Sequence, residues 1–492
     1  LVVVGEIGSV VVAFALLHRP GRWTDGERLG LGLAHLLIEI RQAGLWLGQH
    51  HHRLIHQGLA GQAPRLRATT QLLVFHSGAA AEAAGLTVQD PAAGPFRADA
   101  LLLSPGIPHE LPAPHPAAVA AKAAGVPVLC DAEFLYRAVL ARHSKARFVG
   151  VTGTNGKSTT TALIHHILRG AGVPCEVGGN LGPAALDLNI LGSEGVYTLE
   201  MSSYMLERIA TLRFNVAVML NLSPDHLDRH GNMAGYAAAK ARIFARQGAD
   251  DVAVLGQDDA MTAALGANLA ARRVPISGAT PQPGGVWAEG RALRDDSGLI
   301  LDLGAAAALP GAHNAQNAAA AAAACTALGV ARGAIAEGIR TYPGLPHRQE
   351  IVAEARGVVF VNDSKATNAD STARALASYD RVVWIAGGIA KEGGIAPLAP
   401  FFPRIAKAFL IGRDAPAMAA MLRDAGVAHE VVGTLEAAVA AAAQAAFAGA
   451  APVVLLSPAA ASFDQFSGFD ARGDRFRDLA QSLVAQQSRR AS

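Results

Sequence analysis

The stretch "GVTGTNGKSTTT", residues 150–161, has the residue types of a phosphate-binding loop. It follows the apolar run "RFVGVT" and precedes a helix-length stretch, which predicts a strand, a glycine turn and a helix. Backbone N–H groups from Thr154 to Ser158 would lie at the positive end of that helix, where they can bind phosphate oxygens. Lys157 would neutralise β- and γ-phosphate charge, and the hydroxyl of Ser158 or Thr159 could bind Mg²⁺.

The spacing of this loop differs from the commoner nucleotide loop, G-x-x-x-x-G-K-[ST]. Val151 stands where that loop has its first glycine, and Gly153 and Gly156 flank Thr154 and Asn155 instead. The Lys-Ser-Thr-Thr order that follows still favours a nucleotide site over an ordinary strand–helix turn.

Further polar side chains follow the next apolar runs. Glu200 ends "VYTLE", where a carboxylate beside a phosphate loop is well placed for Mg²⁺. "NLSPDHLDRHG" brings Asp225, His226 and Asp228 after the run "VAVML". Lys240 lies in the alanine-rich "YAAAKARIF", and its spacing alone predicts a solvated charge on a helix.

A third polar cluster surrounds the apolar run "GVVFV". "GLPHRQE" precedes it with His347 and Arg348, and "VNDSKATN" follows it. The second motif contains Asp363, Ser364, Lys365, Thr367 and Asn368. So dense a polar run directly after a buried strand is hard to explain by packing and indicates a binding site.

From about residue 96 onward, short apolar runs alternate with helix-length stretches. Examples are "ADALLLSPG", "RFVGVTG", "GVYTLEMS", "DVAVLG", "RVVWIAGG" and "PVVLLSP". This pattern predicts an α/β fold with parallel sheets covered on both faces, and ligands at the carboxyl ends of the strands. Breaks are predicted near residues 138–146 and near "TYPGLPHRQE", which divides the chain into 1–138, 139–344 and 345–492.

Residues 1–78 fit this pattern poorly. "GQHHHRLIH" clusters His50, His51, His52 and His56, and the last two have the i,i+4 spacing of metal-binding pairs. No cysteine or carboxylate cluster accompanies them, so a solvated segment is favoured. The opening "LVVVGEIGSVVVAFALL" is shorter than the roughly 20 apolar residues of a membrane span. A buried strand, a tight turn and a helix are predicted there.

Composition excludes several functional classes. The 492 residues are 51% hydrophobic and 17% charged, with a net charge of +2, so neither a nucleic acid nor a membrane surface is indicated as a partner. Cys130, Cys175 and Cys325 are widely spaced, which indicates core packing in a reducing cytoplasm rather than disulfides.

The loop "TGTNGKST" is similar to that of the Mur ligase and folylpolyglutamate synthetase superfamily, which joins a carboxylate to an amine at the expense of ATP. The resemblance extends from about "ADALLLSPGIP" to "ARGDRFRDLA". It implies three domains: an N-terminal Rossmann-like UDP-binding domain, a central P-loop ATPase-like domain and a C-terminal Rossmann-like domain. Residues 1–78 are atypical of the first.

The resemblance also implies roles for single residues. The metal ligands would be Ser158, Glu200, His226 and Lys240, the lysine as a carbamate. The catalytic residues would be Lys157, Glu200, His226, carbamylated Lys240 and Lys365. ATP would contact Gly153, Thr154, Asn155, Gly156, Lys157, Ser158, Thr159, Arg348 and Asp363, with His347 nearby and Asn314 and Asn317 at adenine. The substrates would contact Ser104, Asn180, His347, Thr367, Lys391, Ser462 and Phe469.

Within the family, "NDSKATN", "GGIAKEGG" and "LLSPAAASFDQFSGFDARGDRF" resemble the D-glutamate-adding branch. Thr367 and Lys391 would then bind the α-carboxylate of D-glutamate, and Ser462 and the Phe469 N–H its γ-carboxylate. The implied reaction adds D-glutamate to UDP-N-acetylmuramoyl-L-alanine through an acyl phosphate in peptidoglycan precursor synthesis. ATP and two Mg²⁺, which Mn²⁺ can replace, would serve a cytoplasmic monomer.

Two alternatives stay open at this point. One is another ligase of the superfamily, such as one that adds L-glutamate. The other is an ATP-binding protein that is inactive because its N-terminal region is altered.

Overall fold

The computed structural model describes residues 98–391 and 393–491, together with five short strands nearer the N-terminus. These strands are Val2–Val4 (β1), Glu6–Ile7 (β2), Val10–Val11 (β3), Leu73–Val74 (β4) and Thr87–Val88 (β5). The chain forms two compact units, one running to Leu303 and including His313–Arg340, the other made of Gly304–Ala312 and the residues from Thr341 onward. The histidine cluster at 50–56 and the helix predicted after the first strand lie outside the described residues.

The first unit is built on a nine-stranded sheet. After β5, the strands of the first unit as a whole are Leu101–Leu103 (β6), Val128–Leu129 (β7), Arg147–Thr152 (β8), Cys175–Gly179 (β9), Val196–Glu200 (β10), Val216–Met219 (β11), Val252–Gly256 (β12), Arg272–Ser277 (β13), Val286–Glu289 (β14), Ala292–Asp295 (β15) and Gly298–Asp302 (β16). The sheet order is β16-β15-β14-β13-β12-β11-β8-β10-β9, and β1, β6 and β7 form a separate parallel sheet. All pairs from β9 to β14 are parallel, so their carboxyl ends share one edge.

Helices cover these two sheets of the first unit. They are Pro116–Ala123 (α1), Asp131–Ala141 (α2), Lys157–Gly170 (α3), Ser203–Leu206 (α4), Leu227–His230 (α5), Met233–Ala241 (α6), Ala260–Leu265 (α7), Ala312–Ala327 (α8) and Arg332–Arg340 (α9). The central strands are apolar, as expected where both faces of a sheet are covered: Phe148, Val149 and Val151 of β8 are all buried. The alanine run of α8 is buried along its length, since small side chains permit close packing.

The second unit is a six-stranded sheet with helices. Its elements are Glu350–Ala355 (β17), Val358–Asn362 (β18), Ala369–Ala377 (α10), Val382–Gly387 (β19), Ile389–Ala390 (β20), Ile405–Ile411 (β21), Ala415–Asp424 (α11), His429–Gly433 (β22), Leu435–Phe447 (α12), Val453–Leu456 (β23), Ala460–Ala461 (β24) and Phe469–Ala491 (α13). The sheet order is β17-β18-β23-β19-β21-β22, parallel except for the β17–β18 pair. Trp384 of β19 is completely buried within it.

The predicted α/β class with mainly parallel sheets is confirmed. The antiparallel strands β14, β15 and β16 were not predicted, because they are short, half-exposed and polar in alternation at the sheet edge. The predicted boundaries near residues 138 and 344 stay predictions. Among the helices of the described residues, none combines the length and apolarity that crossing a bilayer requires.

Candidate active site

The glycine spacing of the phosphate loop has a steric explanation. Val151 is not part of the turn, because it is a buried residue within β8. The backbone φ angles of Gly153 and Gly156 are 147° and 83°, values that residues other than glycine rarely adopt. A Cβ on Gly156 would also lie 2.1 Å from Oδ1 of Asn317. Glycine is therefore required at the two positions where it occurs.

The loop is anchored to the end of β11 by Asn221. The Thr154 N–H donates to the Asn221 carbonyl at 2.8 Å, and the Asn155 N–H donates to its Oδ1 at 2.9 Å. Asn221 in turn donates to Oε1 of Gln316 on α8 at 2.9 Å. These two loop N–H groups hold the turn in shape, and Asn221 is a positioning residue that the sequence did not reveal.

Glu200 provides the buried carboxylate of this site. It ends β10 and pairs with Val151, so its side chain lies beside the strand that leads into the loop. Its Oε1 accepts from Nδ2 of Asn180 at 2.8 Å. Its Oε2 is buried and has no hydrogen-bond partner in the described part of the chain. A buried, unpartnered carboxylate oxygen fits a divalent cation, because such an oxygen otherwise loses its solvation without compensation.

Lys240 is not the solvated lysine that its spacing alone predicted. It is 2% exposed on α6, and its Nζ donates to the Gly153 carbonyl at 2.9 Å and to Oγ1 of Thr152 at 3.4 Å. Burial, followed by the charge of Lys157, holds the pKa of Lys240 well below its usual value. Lys240 lies on the buried face of α6 together with Tyr236. The alanine-rich sequence does not reveal which face of this helix is buried.

Lys157 and His226 are two further nitrogen-bearing side chains at the loop. The Lys157 Nζ donates to the Thr154 carbonyl at 2.8 Å. Burial lowers the pKa of His226, opposed by Asp225 and reinforced by Lys240 and Lys157. The imidazole is therefore neutral at pH 7, the state in which it can bind a metal. Its side chain remains 47% exposed.

The described residues contain no group of three or more His, Cys, Asp or Glu side chains that could surround one metal ion. A cation here would depend on unlike donors, namely the Ser158 hydroxyl, the Glu200 carboxylate, the His226 imidazole and a modified Lys240. This donor set fits Mg²⁺, which also retains water and phosphate ligands.

Asn314 and Asn317 lie on α8, and both are buried rather than exposed to solvent. Nδ2 of Asn317 donates to Oδ1 of Asn314 at 2.9 Å, and Thr160 donates to Oδ1 of Asn317 at 3.3 Å. Both side chains are less than 10% exposed, and Asn317 braces the start of α3. Their contact with adenine stays a prediction.

In the second unit, Asp363 is a buried acid at the carboxyl end of β18. Ser457, which follows the adjacent β23, donates to its Oδ2 at 2.7 Å, and the Gln349 N–H donates to its Oδ1 at 3.2 Å. Burial raises the pKa of Asp363 to about 7.

Asp363→Asn is expected to stabilise this protein at alkaline pH. Because the folded-state pKa is raised from 3.8 to about 7, this group's stabilisation is complete below pH 3.8 and is lost as the pH rises through 7. Relative to the variant, the free energy of unfolding of the parent should fall by about 2–3 kcal/mol between about pH 5 and pH 8. Denaturant titration measures it, and parallel pH profiles would contradict the expectation.

His347, Lys365 and Phe469 lie together beside Asp363. Nδ2 of Asn362 donates to Nδ1 of His347 at 3.0 Å, and the Lys365 N–H donates to the His347 carbonyl at 3.1 Å. The Lys365 Nζ lies 4.4 Å from the centroid of the Phe469 ring. Four residues from two predicted motifs and the start of α13 are thus brought to one place.

A short antiparallel strand pair joins the segments that carry Lys391 and Ser462, which lie at opposite ends of the pair. β20 pairs antiparallel with β24, Ile389 opposite Ala461. Lys391 directly follows β20 and is exposed, and Ser462 directly follows β24 and is 2% exposed. Thr367 lies in the turn after β18, where its N–H donates to the Lys365 carbonyl at 2.9 Å.

Arg472 joins these loops and was not predicted. It is 1% exposed, and its guanidinium donates to Oγ and the carbonyl of Ser364, both at 2.9 Å, and to the Ala460 carbonyl at 3.1 Å. The available signal was its spacing, since Arg472 lies three residues after Phe469 and four before the buried Phe476 on one helix face.

Two family models match the chain. The Mur ligase middle domain matches residues 151–325, and the Mur ligase, glutamate ligase domain matches residues 347–460.

Curated relatives match over most of the chain. UDP-N-acetylmuramoylalanine–D-glutamate ligase of Paramagnetospirillum magneticum is 50% identical over 406 residues, 81% of this chain and 88% of the relative. The same-named enzyme of Rhodospirillum rubrum is 48% identical over 442 residues, 87% of this chain and 92% of the relative.

Solved structures support the fold. UDP-N-acetylmuramoylalanyl-D-glutamyl-2,6-diaminopimelate–D-alanyl-D-alanyl ligase of Acinetobacter baumannii superposes with a TM-score of 0.54 at 20% identity, covering 71% of this chain and 80% of that one. UDP-N-acetylmuramate-alanine ligase of Thermotoga maritima gives 0.53 at 18% identity, covering 82% and 90%. At such identities the likeness concerns the fold alone. With half of its residues identical to curated relatives over most of its length, this chain belongs to the Mur ligase family.

Proposed function

We propose that this protein is an ATP-dependent ligase that adds D-glutamate to UDP-N-acetylmuramoyl-L-alanine in peptidoglycan precursor synthesis. The relatives at about 50% identity are named for D-glutamate addition to this substrate. The observation that carries the proposal is the buried, unpartnered Oε2 of Glu200 beside the Gly153–Gly156 turn. A cation-binding carboxylate next to a phosphate loop is what a kinase-like first step needs.

The first step forms an acyl phosphate. A carboxylate oxygen of the L-alanyl group attacks the γ-phosphorus, and the bond from that phosphorus to the β–γ bridging oxygen breaks, releasing ADP. Lys157, at the start of α3, neutralises charge that spreads over the γ-phosphate oxygens.

The second step forms the peptide bond. The neutral amine of D-glutamate attacks the acyl carbon, the nitrogen loses one proton to solvent, and the tetrahedral intermediate expels phosphate with the bonding electrons. Positioning and charge neutralisation supply most of the rate, and no protein nucleophile is required.

Mg²⁺ bound by Ser158, Glu200, His226 and carbamylated Lys240 would neutralise phosphate charge. The protein's own part is to hold these ligands. Asn180 fixes Oε1 of Glu200 and leaves Oε2 for the cation.

D-Glutamate is proposed to bind in the second unit. Thr367 and Lys391 would take its α-carboxylate, and Ser462 and the Phe469 N–H its γ-carboxylate. The β20–β24 pair supports this assignment only at the level of the chain segments: it joins those that carry Lys391 and Ser462 and leaves the two residues at its opposite ends. A dicarboxylate needs a cation and several donors, which this group offers.

Phosphate release measured with ATP, UDP-N-acetylmuramoyl-L-alanine and D-glutamate tests the proposed reaction. Parallel reactions contain L-glutamate, alanine or diaminopimelate. Release that depends on D-glutamate supports the proposal, whereas release with another amino acid indicates a different ligase. ATP binding without any release indicates an inactive nucleotide-binding protein. We also propose that the protein is a cytoplasmic monomer. Light scattering tests the oligomeric state, since a monomer has a mass of 50.6 kDa.

Lys391→Ala is expected to raise the KM for D-glutamate at least tenfold, because loss of one charge-assisted contact is equivalent to roughly 1.5–3 kcal/mol. The KM for ATP should stay unchanged. Lys407→Ala is the matched control, since Lys407 is a surface lysine of the same unit paired with Glu430 at 3.0 Å. Equal KM values for D-glutamate in both variants would show that Lys391 does not bind D-glutamate.

A further inference from the structure

Arg208 is a buried arginine that the nucleotide and metal contacts do not use. It lies just after α4, is 1% exposed, and has no carboxylate within ion-pair distance among the residues described. Burial lowers the pKa of Arg208 to about 10, so the guanidinium is still charged at neutral pH. A buried cation of this kind requires hydrogen-bond acceptors for its N–H groups.

Backbone carbonyls at the end of β6 and in the loop that follows it provide those acceptors. Nη1 donates to the Leu103 carbonyl at 2.9 Å and to the Ser104 carbonyl at 2.7 Å. Nη2 donates to the Ile107 carbonyl. The loop at residues 104–109 follows β6, about a hundred residues earlier in the chain, so Arg208 joins two distant segments of the first unit.

One histidine and one arginine side chain extend this contact. His109 Nδ1 lies 3.3 Å from Nη2 of Arg208, and burial together with Arg208 lowers the pKa of His109 to about 4, which keeps it neutral. Arg229 donates to the Gly106 carbonyl at 3.2 Å from the side of α5. Two guanidinium groups thus hold four carbonyls of the Leu103–Ile107 segment and place two positive charges against it.

We infer that Arg208 is a positioning residue for the UDP-bearing substrate, acting by fixing the 104–109 loop through its carbonyl oxygens. This rests on the proposed function, in which Ser104 contacts that substrate. The substrate carries a diphosphate. The charges acting around the loop are three arginines, Arg208, Arg229 and Arg242, against two carboxylates, Glu207 and Glu110, a balance that favours an anion. Only arginine's planar fork reaches three carbonyls at once, so lysine is not an equivalent replacement.

The test compares Arg208→Lys and Arg208→Met with the parent. Titration calorimetry measures the Kd for UDP-N-acetylmuramoyl-L-alanine and for ATP separately, without D-glutamate. Each variant is expected to weaken binding of the UDP substrate about tenfold or more, which corresponds to loss of roughly one or two hydrogen bonds to a charged group. The Kd for ATP should stay within about twofold of the parent value, a pattern that general unfolding does not produce.

Arg242→Lys is the matched control. Arg242 donates to the carbonyls of Leu206 and Ile209, at 2.8 and 3.0 Å, so it holds the segment around Arg208 without touching the 104–109 loop. Its binding of the UDP substrate should match that of the parent. An equal loss in Arg242→Lys, or no loss in either Arg208 variant, would overturn the inference.

If neither Arg208 variant folds, Arg229→Met decides the question at a half-buried position. It removes the contact with the Gly106 carbonyl and should weaken the same binding. Unchanged binding there would overturn the inference. A parent that binds the UDP substrate but releases no phosphate contradicts the proposed function alone. A parent that does not bind it contradicts both.

Discussion

Lys157→Ala is expected to lower D-glutamate-dependent phosphate release by about 10²- to 10³-fold, since removal of one preorganised group at developing charge has an effect of this size. Lys157 is the first residue of α3, and its Nζ lies at the phosphate loop against the Thr154 carbonyl. The loss should appear in kcat with saturating ATP, because the charge that the lysine meets grows in the transition state. Coupled phosphate release measures it.

Lys145→Ala is the matched control for this prediction. Lys145 is an exposed lysine just before β8 and lies at the opposite end of that strand from the loop. Its activity should equal that of the parent. A kcat for Lys157→Ala within about threefold of the parent value would contradict a phosphate-binding role, since even one ordinary charged hydrogen bond contributes more.

Lys240→Met is expected to abolish ligation nearly as completely. The neutral amine reacts with CO₂, forming an N–C bond and releasing one proton, and the product is an anionic carbamate. Burial and Lys157 hold the pKa of Lys240 well below its usual value, which favours that neutral amine over the ammonium form. Methionine fills a similar volume and has no amine, so loss of the proposed metal-binding carbamate should lower kcat by about 10²-fold or more.

NMR with ¹³C-labelled bicarbonate separates the carbamate from a simple buried amine. The parent should show a carbamate resonance that Lys240→Met lacks. Thermal unfolding serves as the control, since replacement of a buried amine by an apolar side chain of similar size is expected to preserve stability. An active Lys240→Met variant, or a parent without the resonance, would contradict carbamylation.

Site residues whose roles depend on local sequence were predictable, whereas those whose roles depend on contacts between distant segments were not. Gly153, Gly156 and Lys157 were predictable, since the strand, the turn and the helix start are adjacent in the chain. The burial of Lys240 was not, because it depends on packing of α6 against residues near 152, almost ninety positions earlier. Asn221 was missed for the same reason: its role appears only when β11 lies beside β8.

The sequence by itself determined the alternation of strands and helices, the glycine positions of the loop and the membership of a ligase family. These depend on side-chain type and local spacing, which the chain carries directly. Only the tertiary structure decided that Glu200 keeps a buried oxygen without a partner and that Arg208 and Arg472 hold loops through backbone carbonyls. Those contacts join segments far apart in the chain, so they arise from parallel strand order and packing rather than from local pattern.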